Sequence, residues 1–210
     1  MKNKGLKYFI LIVAAGLLAY NSVYFKKLDA QKTQISATLN PTDYAQKFWT
    51  SELPRYLDSS VEVNHLFNLL KVDPKTAFNQ FAHTQGIGNT SVFLVKGEGV
   101  VESIAEDEVI VLAKSGTDKV LVKLNTGMYF GNAVRDATGI VKMDDFSNTR
   151  DFNIVSSELN KIVSKQVVLP FKSKAVKGMT VQFVACTEMN KEQIHTDDIL
   201  LLPVRINLIK

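Results

Sequence analysis

Arg135 and Asp136, followed within ten residues by Asp144 and Asp145, form the densest charged group of this chain outside its N-terminus. A guanidinium presents a fixed fork of N–H donors, so Arg135 can clamp an anionic or hydroxylated ligand whose hydroxyls donate to Asp136 or Asp145. The competing reading is structural: an ion pair closing a turn, with Asp145 capping the helix start that follows. His65, His83 and His195 are scattered, and none has a second histidine or a cysteine at ligand spacing, so no metal is expected. No Ser, Cys or Lys sits in a nucleophile motif. Gly86-Ile87-Gly88 lacks the third glycine of a phosphate loop, and no cofactor is expected. Cys186, the only cysteine, excludes an intrachain disulfide and reads as a small core or half-buried residue. Tyr44, Trp49 and Tyr56 can supply an aromatic platform for a sugar or a partner, although at helical spacing such residues first of all pack a helix onto a sheet.

The elements that must position these residues centre on the stretch 91–124. In 91–105, Val92, Leu94, Val100 and Ile104 share one parity, and Phe93, Val95 and Val101 take the other with Gly97 and Gly99. This predicts a long strand that changes its buried face halfway, bent at the two glycines. Residues 109–112 and 120–124 follow as β-branched runs around the turn composition of 114–118, completing a three-strand meander. Residues 180–186 and 204–208 alternate as a fourth and a fifth strand, and Phe152, Val155, Leu159, Ile162 and Val163 trace a helix between the third and fourth, ending near Gln166. Residues 127–141 read as irregular strand plus turn. The order strand, strand, strand, helix, strand, strand is that of the five-stranded OB barrel, so the fold class is α+β with an OB-like antiparallel β-barrel over 90–210. A less closed sheet is the alternative. Before it, 41–89 reads as three short amphipathic helices, the first opened by Asn40-Pro41 and the third by Asp73-Pro74.

Residues 8–25 are almost wholly apolar and are flanked by Lys2, Lys4, Lys7, Lys26 and Lys27. About 18 apolar residues just cross a hydrocarbon core as a helix. Cleavage needs small residues where Tyr20 and Asn21 stand, and a lipoprotein signal needs a cysteine directly after the run. Residues 1–27 therefore read as an uncleaved membrane anchor or signal, with a cleaved signal and a buried helix as rivals, and 28–40 as a polar linker. The five flanking lysines account for more than the whole net charge of +4, and the rest of the chain stands at −1. Such a body has no phosphate-tracking footprint, so no nucleic acid partner is expected.

Gly131-Asn132-Ala133-Val134-Arg135-Asp136-Ala137, then Asp145-Phe146-Ser147-Asn148 and Leu159-Asn160, resemble a family of predicted periplasmic lipoproteins of unknown function in bacteria. Val95-Lys96-Gly97-Glu98-Gly99, Lys177-Gly178 and Leu202-Pro203-Val204 look like further landmarks, and the likeness runs from Tyr44 over most of the chain. The resemblance implies an extracytoplasmic, membrane-tethered domain, some members being encoded near sugar-type ABC transporter components. It carries no activity and no catalytic residues. The missing lipobox cysteine makes 8–25 the substitute tether.

The leading expectation is a non-enzymatic accessory or binding module, tethered through residues 8–25 to the outer side of the cytoplasmic membrane. Its partner is a membrane transport component or a small ligand. An enzyme of unrecognised class is the alternative, and a single-strand nucleic-acid binder comes third. The single-pass topology predicts that protease added to spheroplasts removes a tag at Lys210 and spares a tag at Met1, with the protein staying in the membrane through an alkaline carbonate wash. A protected C-terminal tag would reverse the orientation, and release by carbonate would remove the anchor.

Overall fold

The structure, a computed structural model, describes residues 40–86, 88–196 and 199–209, together with residues 8, 9 and 13. The expected anchor at 8–25 and linker at 28–40 otherwise lie, except for Asn40, outside the described residues. Among the described residues no helix is long and apolar enough to cross a membrane.

The chain opens with α1 (Pro41–Lys47), a single π-turn (Phe48–Glu52) and α2 (Pro54–Leu57), then β1 (Val61–Glu62), α3 (Val63–Val72), α4 (Pro74–Phe81) and β2 (Ala82–His83). Next come β3 (Thr90–Ile104), β4 (Glu108–Ser115) and β5 (Asp118–Asn125). After α5 (Ala133–Asp136) and a 3-10 turn lies α6 (Thr149–Val163), then a second π-turn (Ser164–Val168), α7 (Leu169–Lys172), β6 (Thr180–Asn190) and β7 (Leu200–Ile209). Local chemistry explains the starts: the side chains of Asn40, Asp73 and Asn148 accept from the backbone N–H groups of Thr42, Thr76 and Asp151, satisfying donors that a helix N-terminus leaves orphaned.

β3 is the longest strand and the most widely paired. It lies antiparallel to β6 from Thr90↔Asn190 to Val100↔Thr180 and to β4 from Gly99↔Ala113 onward, while its first half also takes β1 and β2 on the opposite edge. The β4–β5 hairpin follows, β5 meets β7 at Lys123↔Leu200 and Leu124↔Leu201, and β7 returns to β6. The pairings thus close a ring, β3-β4-β5-β7-β6-β3. The expectation of a wholly antiparallel sheet fails at one joint, because β5 and β7 run parallel. Directions that alternate around an odd number of strands cannot all match, so one of the five joints must be parallel.

Two cores result. Inside the ring, Phe93, Val95, Val101, Val111, Leu124 and Phe183 pack together, and the α3–α4 pair covers them with Leu66, Phe67, Leu70 and Phe78. The spacing of Val63, Leu66, Phe67 and Leu70 is the i, i+3, i+4, i+7 stripe of a helix with one apolar face. Outside the ring, Val92, Leu94, Val184, Cys186 and Leu202 meet a helical layer whose Phe48, Val155 and Leu159 are buried. Residues 41–89 therefore share both cores with 90–210. Residues 127–141 hold α5 rather than the expected irregular strand; β5 ends where the backbone N–H groups of Thr126 and Gly127 turn to the Asp107 carbonyl.

β3 does not change its buried face. Phe93, Val95 and Val101 all point inward, and the first half is buried on both sides because Val92 and Leu94 join the outer core. The glycines serve close approach instead: a Cβ on Gly97 would lie 2.7 Å from the Phe183 ring, and one on Gly99 2.4 Å from the Leu112 carbonyl oxygen.

The helix expected to end near Gln166 continues into α7. Pro170 has no N–H to give, a defect that normally kinks or stops a helix, and the preceding π-turn absorbs it through a bond from Leu169 N to the Ser164 carbonyl. The same device stands before Pro54, where Leu53 N reaches the Phe48 carbonyl at 2.8 Å.

Gly99→Ala should cost about 2 to 3 kcal/mol, because an added methyl in a packed site forces backbone shifts. Gly88→Ala, with nothing within 4 Å of its Cβ position, should change the denaturant midpoint little. Equal midpoints for the two variants would remove the close-approach argument.

Candidate binding groove

The charged group at Arg135 is built into the outer core. Arg135 and Asp136 are only 3% and 6% exposed. The Arg135 Nε and one Nη donate to the two Asp136 carboxylate oxygens at 2.6 and 2.9 Å, and the other Nη points at the Phe152 carbonyl and Asn153 Oδ1 at 3.4 Å. The guanidinium carbon sits 3.5 Å from the centre of the Phe152 ring, a cation–π contact strengthened by desolvation. The fork a ligand would need is filled. Asp145 is not in this group: its carboxylate accepts from Lys142 N at 3.1 Å. There it raises the Tyr44 phenol above its ordinary value, after burial and ahead of Glu52.

The other sequence candidates are likewise separate. His65 stands edge-on to Phe81 with ring centres 5.9 Å apart, and His83 and His195 are exposed, desolvation lowering the His83 pKa. Among the described residues no group of three or more His, Cys, Asp or Glu side chains is placed to hold a metal. Cys186 lies in the outer core, and burial pushes its thiol pKa well up. Such a thiol is a poor nucleophile, since reactivity follows the thiolate. Tyr44, Trp49 and Tyr56 pack partly buried against the outer core.

A groove forms where the helical layer stops. On the outward face of β3, β6 and β7, register sets Lys96, Val184 and Arg205 in one row and Glu98, Gln182 and Asn207 in the next. Gln182 Nε2 donates to Glu98 Oε2 at 2.8 Å. Asp58, at the end of α2, ties the first row together: Lys96 Nζ donates to its carbonyl at 3.0 Å and Arg205 to its carboxylate at 3.1 Å. These rows floor a cleft of about 240 Å³. A second cleft, of about 480 Å³, runs between β7 and the second π-turn with α7, bounded by Trp49, Gln166, Pro170 and Lys174. Both clefts are lined by Arg205 and Asn207, so they adjoin at these two side chains, and the pair together forms the trough. At its helical wall Trp49 Nε1 donates to Gln166 Oε1 at 2.9 Å, joining the two π-turns to each other. π-turns of this kind recur at functional sites.

Sequence reasoning marked Trp49 but not the other groove residues. Gln182, Arg205 and Asn207 carried a weak signal, polar residues at outward parity in the last two strands. Their meaning depends on register with β3.

Because breaking a buried pair leaves an uncompensated charge, Arg135→Ala and Asp136→Asn should each lower stability by about 3 to 5 kcal/mol. Asp145→Asn, on an exposed turn, should cost at most about 1 kcal/mol. Chemical denaturation of the three variants checks this, and a near-neutral Arg135→Ala would show the pair to be dispensable.

Among solved structures this chain is similar to an OB-fold protein from Thermotoga maritima, with 27% identity and a TM-score of 0.72 over 81% of this chain and 99% of that one. Among curated proteins there is no match. The family model described as predicted periplasmic lipoprotein (DUF2291) matches residues 13–207, which takes in the helical layer and all of the ring but the last two residues of β7, and the chain belongs to that family.

Proposed function

We propose that this chain is a tethered extracytoplasmic binding module, in which the trough holds a ligand or a segment of a membrane partner and no reaction is catalysed. The observation that carries this reading is the adjacency of two clefts that share Arg205 and Asn207, one lined by charged and amide side chains and the other bounded by an indole. Such a surface offers donors, acceptors and an apolar plate together, the mixture that fixes a polar ligand's orientation. In this proposal the ring of strands is an OB barrel, the apolar run at 8–25 is a single-pass tether, and the module serves a transport component in the cytoplasmic membrane.

The test uses the full-length protein in detergent, screened by thermal shift against sugars, sugar phosphates, nucleotides, short peptides and metal ions, with pull-down from membrane extract alongside. A ligand held at about 100 times its Kd stabilises the folded state by about 2.7 kcal/mol. The double variant Gln182→Ala/Asn207→Ala, at two exposed positions, should keep the unliganded midpoint and lose the shift. A screen and a pull-down that both come up empty would sink the proposal, as would a shift that survives the double variant unchanged.

A further inference from the structure

The larger cleft is bounded by the consecutive residues Val204, Arg205, Ile206, Asn207 and Leu208. Side chains of successive strand residues point to opposite faces, and here Ile206 and Leu208 pack toward the inner core while Arg205 and Asn207 belong to the outward rows. A cleft lined by both parities faces the edge of the strand, where backbone groups lie. β7 pairs with β5 only through Leu200 and Leu201, and its remaining residues pair on one side, with β6. Among the described residues no backbone hydrogen bond reaches its other side beyond Leu201. In an antiparallel pair alternate residues turn both N–H and C=O away from the partner, so this edge presents open donors and acceptors to the cleft.

Open edges are normally blunted by proline, bulges or charge. Pro203 and the register shift between Val184 and Ala185 protect the start of the free stretch, leaving 205–209. At about 3.4 Å per residue that is roughly 17 Å of strand. The opposite wall supplies Lys174 and Trp49. Of the lysines in the segment that supplies this wall, Lys161, Lys165, Lys172, Lys174 and Lys177, only Lys174 lines the cleft, and the segment has no Asp or Glu between residues 159 and 187, nor has the chain from 199 to the C-terminus. Lys161 is paired with Glu158 and Lys172 donates to the Glu106 carbonyl, whereas Lys165, Lys174 and Lys177 are exposed. No carboxylate side chain lines this cleft.

From the free edge and the carboxylate-free wall that carries Lys174, we infer that β7 receives an extended acidic peptide segment of a partner protein by strand addition. The peptide's backbone pairs with residues 205–209, its carboxylates lie toward Lys174, and Trp49 closes one end, while Arg205 stays paired with Asp58. Main-chain bonds supply affinity in this mode and side-chain pockets supply specificity. The inference rests on the binding-module reading and names its partner class.

The experiment measures fluorescence anisotropy of a set of labelled heptapeptides, alternating Glu or Asp with Val or Thr, on the full-length protein in dodecyl maltoside. Micromolar binding is expected, at least tenfold weaker for Lys174→Glu, weakened by added salt, and absent for counterparts carrying Lys in place of the acids. Backbone N-methylation at alternate residues should abolish binding in one register and spare it in the other, and amides within 205–209 should gain hydrogen-exchange protection. Equal binding by both methylated sets would overturn strand addition. So would failure of every peptide, and if a small molecule still shifts the midpoint through Gln182 and Asn207, the module reading survives that failure. Lys174-dependent capture of phosphatidylglycerol vesicles without peptide binding would assign the basic wall to a membrane surface and overturn the inference.

Discussion

The structure depends on β3 being close to its neighbours on every side at once. Its first half pairs on both edges and is buried on both faces, by Phe93 and Val95 inward and by Val92 and Leu94 outward. That is only possible because Gly97 and Gly99 leave room where Phe183 and the β4 backbone press in. A side chain at either place would hold the ring open. Both cores, one inside the ring and one outside it, then draw on a single strand, and the helical layer is tied to the ring through that strand and β6.

The groove follows from where the outward face changes character. From Val92 to Leu94 the outward residues are apolar and the helical layer sits on them. At Lys96 and Glu98 they become charged, and the layer ends. Covering those rows would bury charged groups, whose desolvation costs several kcal/mol each unless fully paired, so they stay at the surface bound to one another and to Asp58. The charge at Arg135 meets the opposite solution. It is buried, and a carboxylate, a carbonyl and an aromatic face replace its water.

Much of this was legible in the sequence. The five long strands, the helix between the third and fourth, and the capped starts at Asn40 and Asp73 all follow from alternation, periodicity and cap chemistry. Other features depend on contacts distant in sequence. The glycines of β3 mark a bend when read alone, and their role appears only with Phe183 and Leu112 beside them. Arg135 stood out by local charge density, but its burial is decided by Phe152 and Asn153, 17 and 18 residues further on. The rows at Lys96, Gln182 and Asn207 are ordinary outward positions in three separate strands, and only the register makes them one surface. The extension beyond Gln166 was hidden because Pro170 reads as a stop unless a π-turn precedes it.

The two π-turns carry a further consequence for how the helical layer can change. Each gains an extra residue per turn over an ordinary helix, which at 3.6 residues per turn rotates everything downstream by about 100°. In the second, that rotation falls between Val163, which faces the outer core, and Phe171, which faces the inner one. The turn is therefore a phase shifter that lets one continuous helix serve two hydrophobic interiors. Loss of a single residue within 164–168 would leave composition and charge almost untouched, yet Phe171 would swing out of the ring and Gln166 away from Trp49. In this segment spacing is constrained more tightly than residue identity, and lineages should tolerate substitutions there far more readily than changes of length.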